Sequence, residues 1–179
     1  MANEVPPLET SRLLLRAMQE EDLAQIQAVF PQWEVVKYLN AKVPWPFPPD
    51  GVEVFFRETA LPARARGDEW LWTIRRKIEP ARIIGAISLA KTENENRGFW
   101  LDPQMRGQGY MLEACDAATD FWFEVLKFPV LRAPKAVANQ DLEEFADVVV
   151  GGAGAMGIAD EGDDLVFALA SAGDPGSGG

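Results

Sequence analysis

Histidine is absent from this 179-residue chain. Nucleophilic couples of the Ser–His or Cys–His kind are therefore unavailable, and so is histidine-ligated zinc. Cysteine occurs once, at Cys115, which excludes an internal disulfide framework and suits a reducing cytoplasm. No apolar run approaches the roughly 20 residues of a membrane span, and the stretch from Met1 to Thr10 does not read as a signal peptide. No glycine is followed by Lys-Ser or Lys-Thr, so a phosphate-binding P-loop is also excluded.

Basic residues are missing from the last part of the chain. All 17 Lys and Arg lie before residue 140, against 19 acidic residues there. Nine acidic residues follow with no cation to balance them, so the net charge of −11 belongs mainly to the tail. Nine of the 15 glycines fall in the same segment. The body is close to neutral and lacks the clustered basic surface that nucleic-acid binding needs. Length implies one folded body, read as residues 1–139. Residues 140–179 read as a divergent acidic Gly/Ala-rich tail, partly disordered because it has little apolar content to fix its geometry.

Hydrophobic spacing organises the body. Arg12-Leu13-Leu14-Leu15-Arg16 reads as a strand. Glu20-Glu21-Asp22 opens a helix carrying Leu23, Ile26 and Phe30. Residues 33–39 read as a second short helical piece. The proline-rich run 44–49, with Trp45 and Phe47, can only be a loop. Asp50 is placed to cap a helix through Val54 and Phe55 toward Ala63. Strands follow at 69–75, with Trp70, Trp72 and Ile74 on one face, at 82–89 and at 98–101. Short turns between them imply an antiparallel sheet. A long amphipathic helix is predicted over 108–127, then a strand over 130–137 that Pro134 disturbs.

The most informative stretch is Phe99-Trp100-Leu101-Asp102-Pro103-Gln104-Met105-Arg106-Gly107-Gln108-Gly109-Tyr110. A strand stops at Pro103, passes through a Gly-containing turn and opens the long helix. A helix start offers unpaired N–H groups and the positive end of the helix dipole, both suited to phosphate. Glycines at 107 and 109 let a phosphate approach the backbone closely. The pattern Q/R-x-x-G-x-G/A equally describes a turn that merely needs small residues, but it stands after a strand and before a helix, as a phosphate site requires.

Residues from Thr10 to Asn139 resemble the GNAT-superfamily N-acetyltransferases, in the branch similar to the RimJ/RimL ribosomal-protein N-terminal acetyltransferases. The pieces that carry the resemblance are Thr10-Ser11-Arg12-Leu13-Leu14-Leu15-Arg16, Glu21-Asp22-Leu23, residues 35–39, Trp45-Pro46-Phe47, Ile84-Gly85-Ala86-Ile87, and the block from Gly98 to Tyr110 with Glu113-Ala114. The resemblance implies an α/β (α+β) fold with a mixed, mostly antiparallel sheet, helices on both faces, and C-terminal strands that are atypical or missing. It implies acetyl-CoA as co-substrate, without a metal. The backbone amides of Met105, Arg106, Gly107, Gln108, Gly109 and Tyr110 would cradle its pyrophosphate. Leu101 would bond the pantetheine arm through its main chain, the next strand would diverge to make room, and the Asn139 side chain would contact the arm.

The implied chemistry is direct attack of an amine on the thioester, as on a protein N-terminal α-amine or a small-molecule amine. No catalytic residue is assigned. Glu93, Glu95 and Glu113 are carboxylates near the expected site, or solvated turn and helix-face charges. Trp45 and Phe47 either line the acceptor pocket or pack as hydrophobes. Cys115 lies on the apolar helix face and reads as inert core. After Asn139 the family pattern lapses: Leu142 stands where it has Ser, and a basic helix is missing. This departure keeps open a non-catalytic remnant that binds CoA or a partner, a replaced or frame-shifted C-terminus, and exposed sheet edges that favour pairing as a homodimer or instability. Residues 148–157 contain G-x-G-x-x-G, the dinucleotide fingerprint, but only 22 residues follow Gly157, too few for a βαβ unit of about 30.

Overall fold

The computed structural model describes residues 4–37, 39, 43–93, 95–134, 156–161 and 164–169. Five strands, β1 (Leu8–Glu9), β2 (Leu13–Ala17), β3 (Glu69–Arg76), β4 (Glu79–Ala90) and β5 (Arg97–Leu101), form one sheet in the order β1-β2-β3-β4-β5. Every neighbouring pair is antiparallel, as the short turns imply. Trp70, Trp72 and Ile74 share one face because side chains on a strand alternate.

That face packs with Leu13, Leu15, Ile87 and Leu89 against helix α5 (Tyr110–Asp120), which presents Ala114, Cys115 and Ala118 to it. A π-helical turn, Phe121–Val125, prolongs α5 to a length of about 24 Å. Small residues on the helix let it lie close to the sheet, and Trp72 is completely buried between them. The opposite face is covered by α1 (Leu23–Val29) and by α3 (Gly51–Phe55), which runs through a π-helical turn into α4 (Leu61–Arg66). Ile26, Val52, Phe56, Ala60 and Ile83 form the second core there. A shorter helix, α2 (Trp33–Val36), precedes the proline-rich loop. Asp50 holds the N-cap position of α3 but makes no side-chain cap.

A buried ion pair fixes α1 to the sheet. Arg75 Nη2 donates to Asp22 Oδ1 at 2.5 Å, both residues being at least nine-tenths buried. Arg75 also donates to Thr73 Oγ1 and to the Pro80 carbonyl, so its guanidinium is well satisfied. A pair of this kind is costly to break because either partner left alone is a buried charge.

Strand β6 (Val130–Pro134) joins a second, three-stranded sheet of order β6-β8-β7, with β7 (Met156–Glu161) and β8 (Asp164–Leu169) as antiparallel neighbours. The tail therefore contributes two strands, and β8 lies at the apolar run 164–169. Gly157 sits inside β7, where a dinucleotide fingerprint would need a helix start.

Gly85 sets the spacing between β4 and β5: a Cβ there would stand 2.4 Å from the Trp100 carbonyl oxygen. Gly85→Ala must push β5 away. It is expected to lower the unfolding free energy by about 1–3 kcal/mol, read as a reduced urea midpoint by tryptophan fluorescence.

Candidate functional site

The turn between β5 and α5 is built by Asp102. Its buried carboxylate accepts the Gln104 N–H at 3.0 Å and faces Arg82 Nη2 at 3.3 Å. Pro103 supplies a fixed φ at the start of a single 3-10 turn. The Met105 N–H donates to the Asp102 carbonyl at 2.8 Å and the Arg106 N–H to the Pro103 carbonyl at 3.4 Å. Gly107 and Gly109 then take φ of +75° and +78°, in the left-handed region where a side chain is disfavoured.

These bonds divide the six amides expected to cradle a pyrophosphate. Those of Met105 and Arg106 are already spent in closing the turn. The next N–H to find a main-chain acceptor is that of Glu113, bonded to the Gly109 carbonyl at 3.1 Å. Among the described residues, the N–H groups of 107 to 112 have no protein acceptor, and Gly109 makes no side-chain cap. They lie at the positive end of α5. Tyr110 offers only its main chain, since its ring is buried beneath the Arg12 guanidinium at 4.6 Å.

The helix start is held by residues about a hundred positions upstream. Arg12 Nε donates to Glu113 Oε2 at 2.7 Å, the Arg12 N–H donates to Glu113 Oε1 at 2.8 Å, and the Thr10 hydroxyl bonds the same oxygen. Arg12 Nη1 also donates to the Gln108 carbonyl at 2.9 Å. Burial tends to raise the Glu113 carboxyl, but the bonds from Thr10 and Arg12 outweigh it and hold the group below its ordinary value. Glu113 is thus neither a solvated helix-face charge nor an available base. Its carboxylate is consumed in fastening β2 to α5.

Beside the turn, β5 is the last strand of its sheet. The Asp102 N–H bonds the Ile84 carbonyl and the Ala90 N–H bonds the Asn96 carbonyl. Even-numbered residues of β5 therefore face β4, and Leu101 directs its main-chain N–H and C=O to the outer edge. Asn96 limits what covers that edge. Its N–H donates to the Arg132 carbonyl and its Oδ1 accepts the Arg132 N–H, both at 2.7 Å, while its Nδ2 bonds the Ala90 and Thr92 carbonyls. β6 ladders with β8 along its whole length, from Val130 to Pro134, and forms no ladder with β5, so the two strands belong to separate sheets. Pro134 ends β6 opposite Asp164; Asn139 lies outside the described residues.

A cavity of about 860 Å³ opens along this edge. It is lined by Arg106, Gly107 and Gly109 of the turn, by Gly98 and Leu101 of β5, by Glu69 of β3 and by residues of α3. Of the two loop aromatics, Phe47 lines it and packs edge-on against Phe30 at 4.9 Å. Trp45 instead pairs with Trp33 at the surface. Glu95 lines the cavity, whereas Glu93 stands exposed away from it. Cys115 is buried, and burial raises its thiol above the ordinary value, as befits inert core. Among the described residues no cluster of His, Cys, Asp and Glu is arranged to hold a metal, and no helix is long and apolar enough to cross a membrane.

The family model described as the acetyltransferase (GNAT) domain matches residues 12–146. The chain belongs to the GNAT acetyltransferase family. Solved structures agree in fold. A ribosomal-protein-S5-alanine acetyltransferase from Vibrio fischeri superposes with a TM-score of 0.72 at 16% identity, covering 95% of this chain and 100% of that one. Mycobacterium smegmatis RimJ in complex with CoA-disulfide gives 0.70 at 14%, covering 92% and 86%. The RimL ribosomal L7/L12 α-N-protein acetyltransferase in complex with coenzyme A gives 0.68 at 18%, covering 91% and 97%. No curated protein matches the sequence significantly. In this GNAT domain the β5–turn–α5 unit lies within the matched region, whereas β7 and β8 lie beyond it.

Two interactions that shape the site have little local signal in the sequence: the Arg12–Glu113 fastening and the Asn96 staple. The signal of Asn96 is an amide side chain directly before a strand.

Glu113→Gln is expected to cost about 1–3 kcal/mol of stability at neutral pH, the worth of hydrogen bonds to a charged group. A lowered carboxyl stabilises the fold above its unfolded value and loses that contribution as pH falls through the lower folded one. The gap between wild type and variant urea midpoints therefore closes below about pH 4.

Proposed function

We propose that this GNAT protein is an acetyl-CoA-dependent N-acetyltransferase acting by direct attack of an amine on the thioester, with a protein N-terminal α-amine as the favoured acceptor class. The observation that carries the reading is the run of N–H donors at 107–112 beside the outward-turned main chain of Leu101, both on one cavity. Similarity of fold to enzymes named as a ribosomal-protein-S5-alanine acetyltransferase and a ribosomal L7/L12 α-N-protein acetyltransferase supports the acceptor class.

The donors present fit a diphosphate. In this reading the amides of Gly107, Gln108, Gly109 and Tyr110 hold it, Met105 and Arg106 shape the turn, and Leu101 bonds the pantetheine arm through its main chain. Asn139 remains the residue assigned to contact the arm by its side chain. Arg12 and Arg106 add positive charge, each already oriented by a carbonyl: Gln108 for Arg12, and Glu34 at 2.7 Å for Arg106. An α-amino group is the easier nucleophile, because its pKa lies near 8, against about 10.4 for a lysine side chain.

Calorimetric titration with acetyl-CoA tests the reading. A single site is expected, weakened at least tenfold by Gly109→Val. The new side chain is strained at positive φ, meets Arg12 Nη2 at 3.3 Å, and disturbs charge-assisted bonds each worth about 1.5–3 kcal/mol. Absence of binding by wild type, or equal binding by a folded Gly109→Val variant, contradicts the reading.

A further inference from the structure

Resting on that reading, we propose that Glu69 is the proton acceptor for the attacking amine, acting through a short chain of waters in the cavity. Glu69 begins β3 opposite Ala90. Leu71, Ser88 and Gly98 are the next aligned positions on the same sheet face. A Cβ on Gly98 would meet Ser88 Oγ at 3.3 Å, which confirms that these two share the face. Ala86, Ser88, Ala90 and Gly98 thus give the cavity a floor of small side chains. Val54, Phe55 and Thr59 line it from the helix above. This leaves room for an acceptor, and Glu69 is the carboxylate that borders it from the strand side.

The geometry matches an arm laid along β5. A chain anchored at the Gly107–Gly109 turn and following β5 from Leu101 to Arg97 advances about 13 Å along the strand. Its thioester end then lies beside Gly98. Glu69 stands two strands in from β5 and two residues along from the position aligned with Gly98, about 12 Å away, and an arm on the outer edge of β5 adds a further strand spacing of about 5 Å. The proton therefore passes from the amine to Glu69 along a chain of waters in the cavity. Among the described residues no hydrogen bond or ion pair reaches its carboxylate. Other charged groups stand nearby without pairing with it. Glu95, Arg97 and Asp50 line the same cavity, and Arg64 of α4 borders a small recess behind Glu69. Lys91 is held over the Trp70 and Phe128 rings, and Asp68 is paired with Arg66. Burial alone raises the Glu69 carboxyl above its ordinary value, which makes it a stronger base than an exposed glutamate.

The protons balance without another reactant. The ammonium form of the acceptor yields one proton to Glu69, which passes it to solvent. The neutral nitrogen forms the C–N bond with the thioester carbonyl carbon, the C–S bond breaks, and its electron pair leaves on sulfur. The second nitrogen proton ends on that sulfur as the free thiol.

The test compares wild type, Glu69→Gln and Glu69→Asp in the full chain, with acetyl-CoA and a panel of short peptides bearing free N-termini. Acetyl-CoA affinity is read by calorimetry and thiol release is followed across pH. Glu69→Gln is expected to bind acetyl-CoA within twofold of wild type and to lose about 10²-fold in kcat/KM at neutral pH. The deficit shrinks above about pH 8, where the amine is already free. Glu69→Asp, which keeps a carboxylate that water can bridge, recovers part of the rate. Glu69→Gln turnover within threefold of wild type at every pH overturns the proposal, as does a loss independent of pH or shared with acetyl-CoA affinity. Wild type that binds acetyl-CoA but releases no thiol with any peptide overturns it while sparing the cofactor reading. Failure of wild type to bind acetyl-CoA defeats both.

Discussion

Main-chain N–H groups left without acceptors are costly inside a protein and tolerable only where a solvent or a ligand can meet them. In this chain a run of them, at residues 107–112, is gathered at one helix start, and much of the surrounding structure keeps it there. Asp102 closes the turn that precedes them. Two glycines at positive φ aim the chain without side chains over the donors. Glu113, caught by Thr10 and Arg12, prevents the first turn of α5 from drifting. The carboxylate that by its position looked available for catalysis is instead the fastening that preserves the donor geometry.

The second constraint belongs to β5, the last strand of its sheet. Gly85 draws it close to β4, and Asn96 ties its beginning to Arg132. β6 ladders with β8 along its whole length. Leu101, at the end of β5 away from this tie, turns its main chain outward and borders the cavity. The donor turn and the half-buried Glu69 carboxylate both border the cavity. A diphosphate-bearing thioester and an amine can therefore enter a single cavity and meet along β5.

Much of this was legible in the residues. Alternation at Trp70, Trp72 and Ile74 located β3 and its buried face, and three-to-four spacing from Met111 to Val125 located α5. Gly107 and Gly109, placed between a strand and a helix, marked the turn. Interactions between distant segments were not legible. Nothing local shows that Glu113 meets Thr10 and Arg12 across a hundred residues, or that the Met105 amide is consumed by the Asp102 carbonyl. Glu69 gave no signal because its surroundings include segments away from it in sequence, among them Met18, Phe56 and Ala60. The two residues of β1 are too few to show alternation. Phe47 and Trp45, adjacent in one proline-rich loop, separate into a cavity wall and a surface pair, a choice made by packing against Phe30 and Trp33.

The central claim is that the amides at the start of α5 clasp the diphosphate of acetyl-CoA. The most direct measurement follows the backbone amide resonances of residues 105–112 in nitrogen-15-labelled protein while acetyl-CoA is added. The account predicts saturable downfield shifts and slowed hydrogen exchange at residues 107–110, with the amide proton of Met105, already bonded, slow to exchange before and after. Saturable binding that leaves residues 107–110 unperturbed would contradict it.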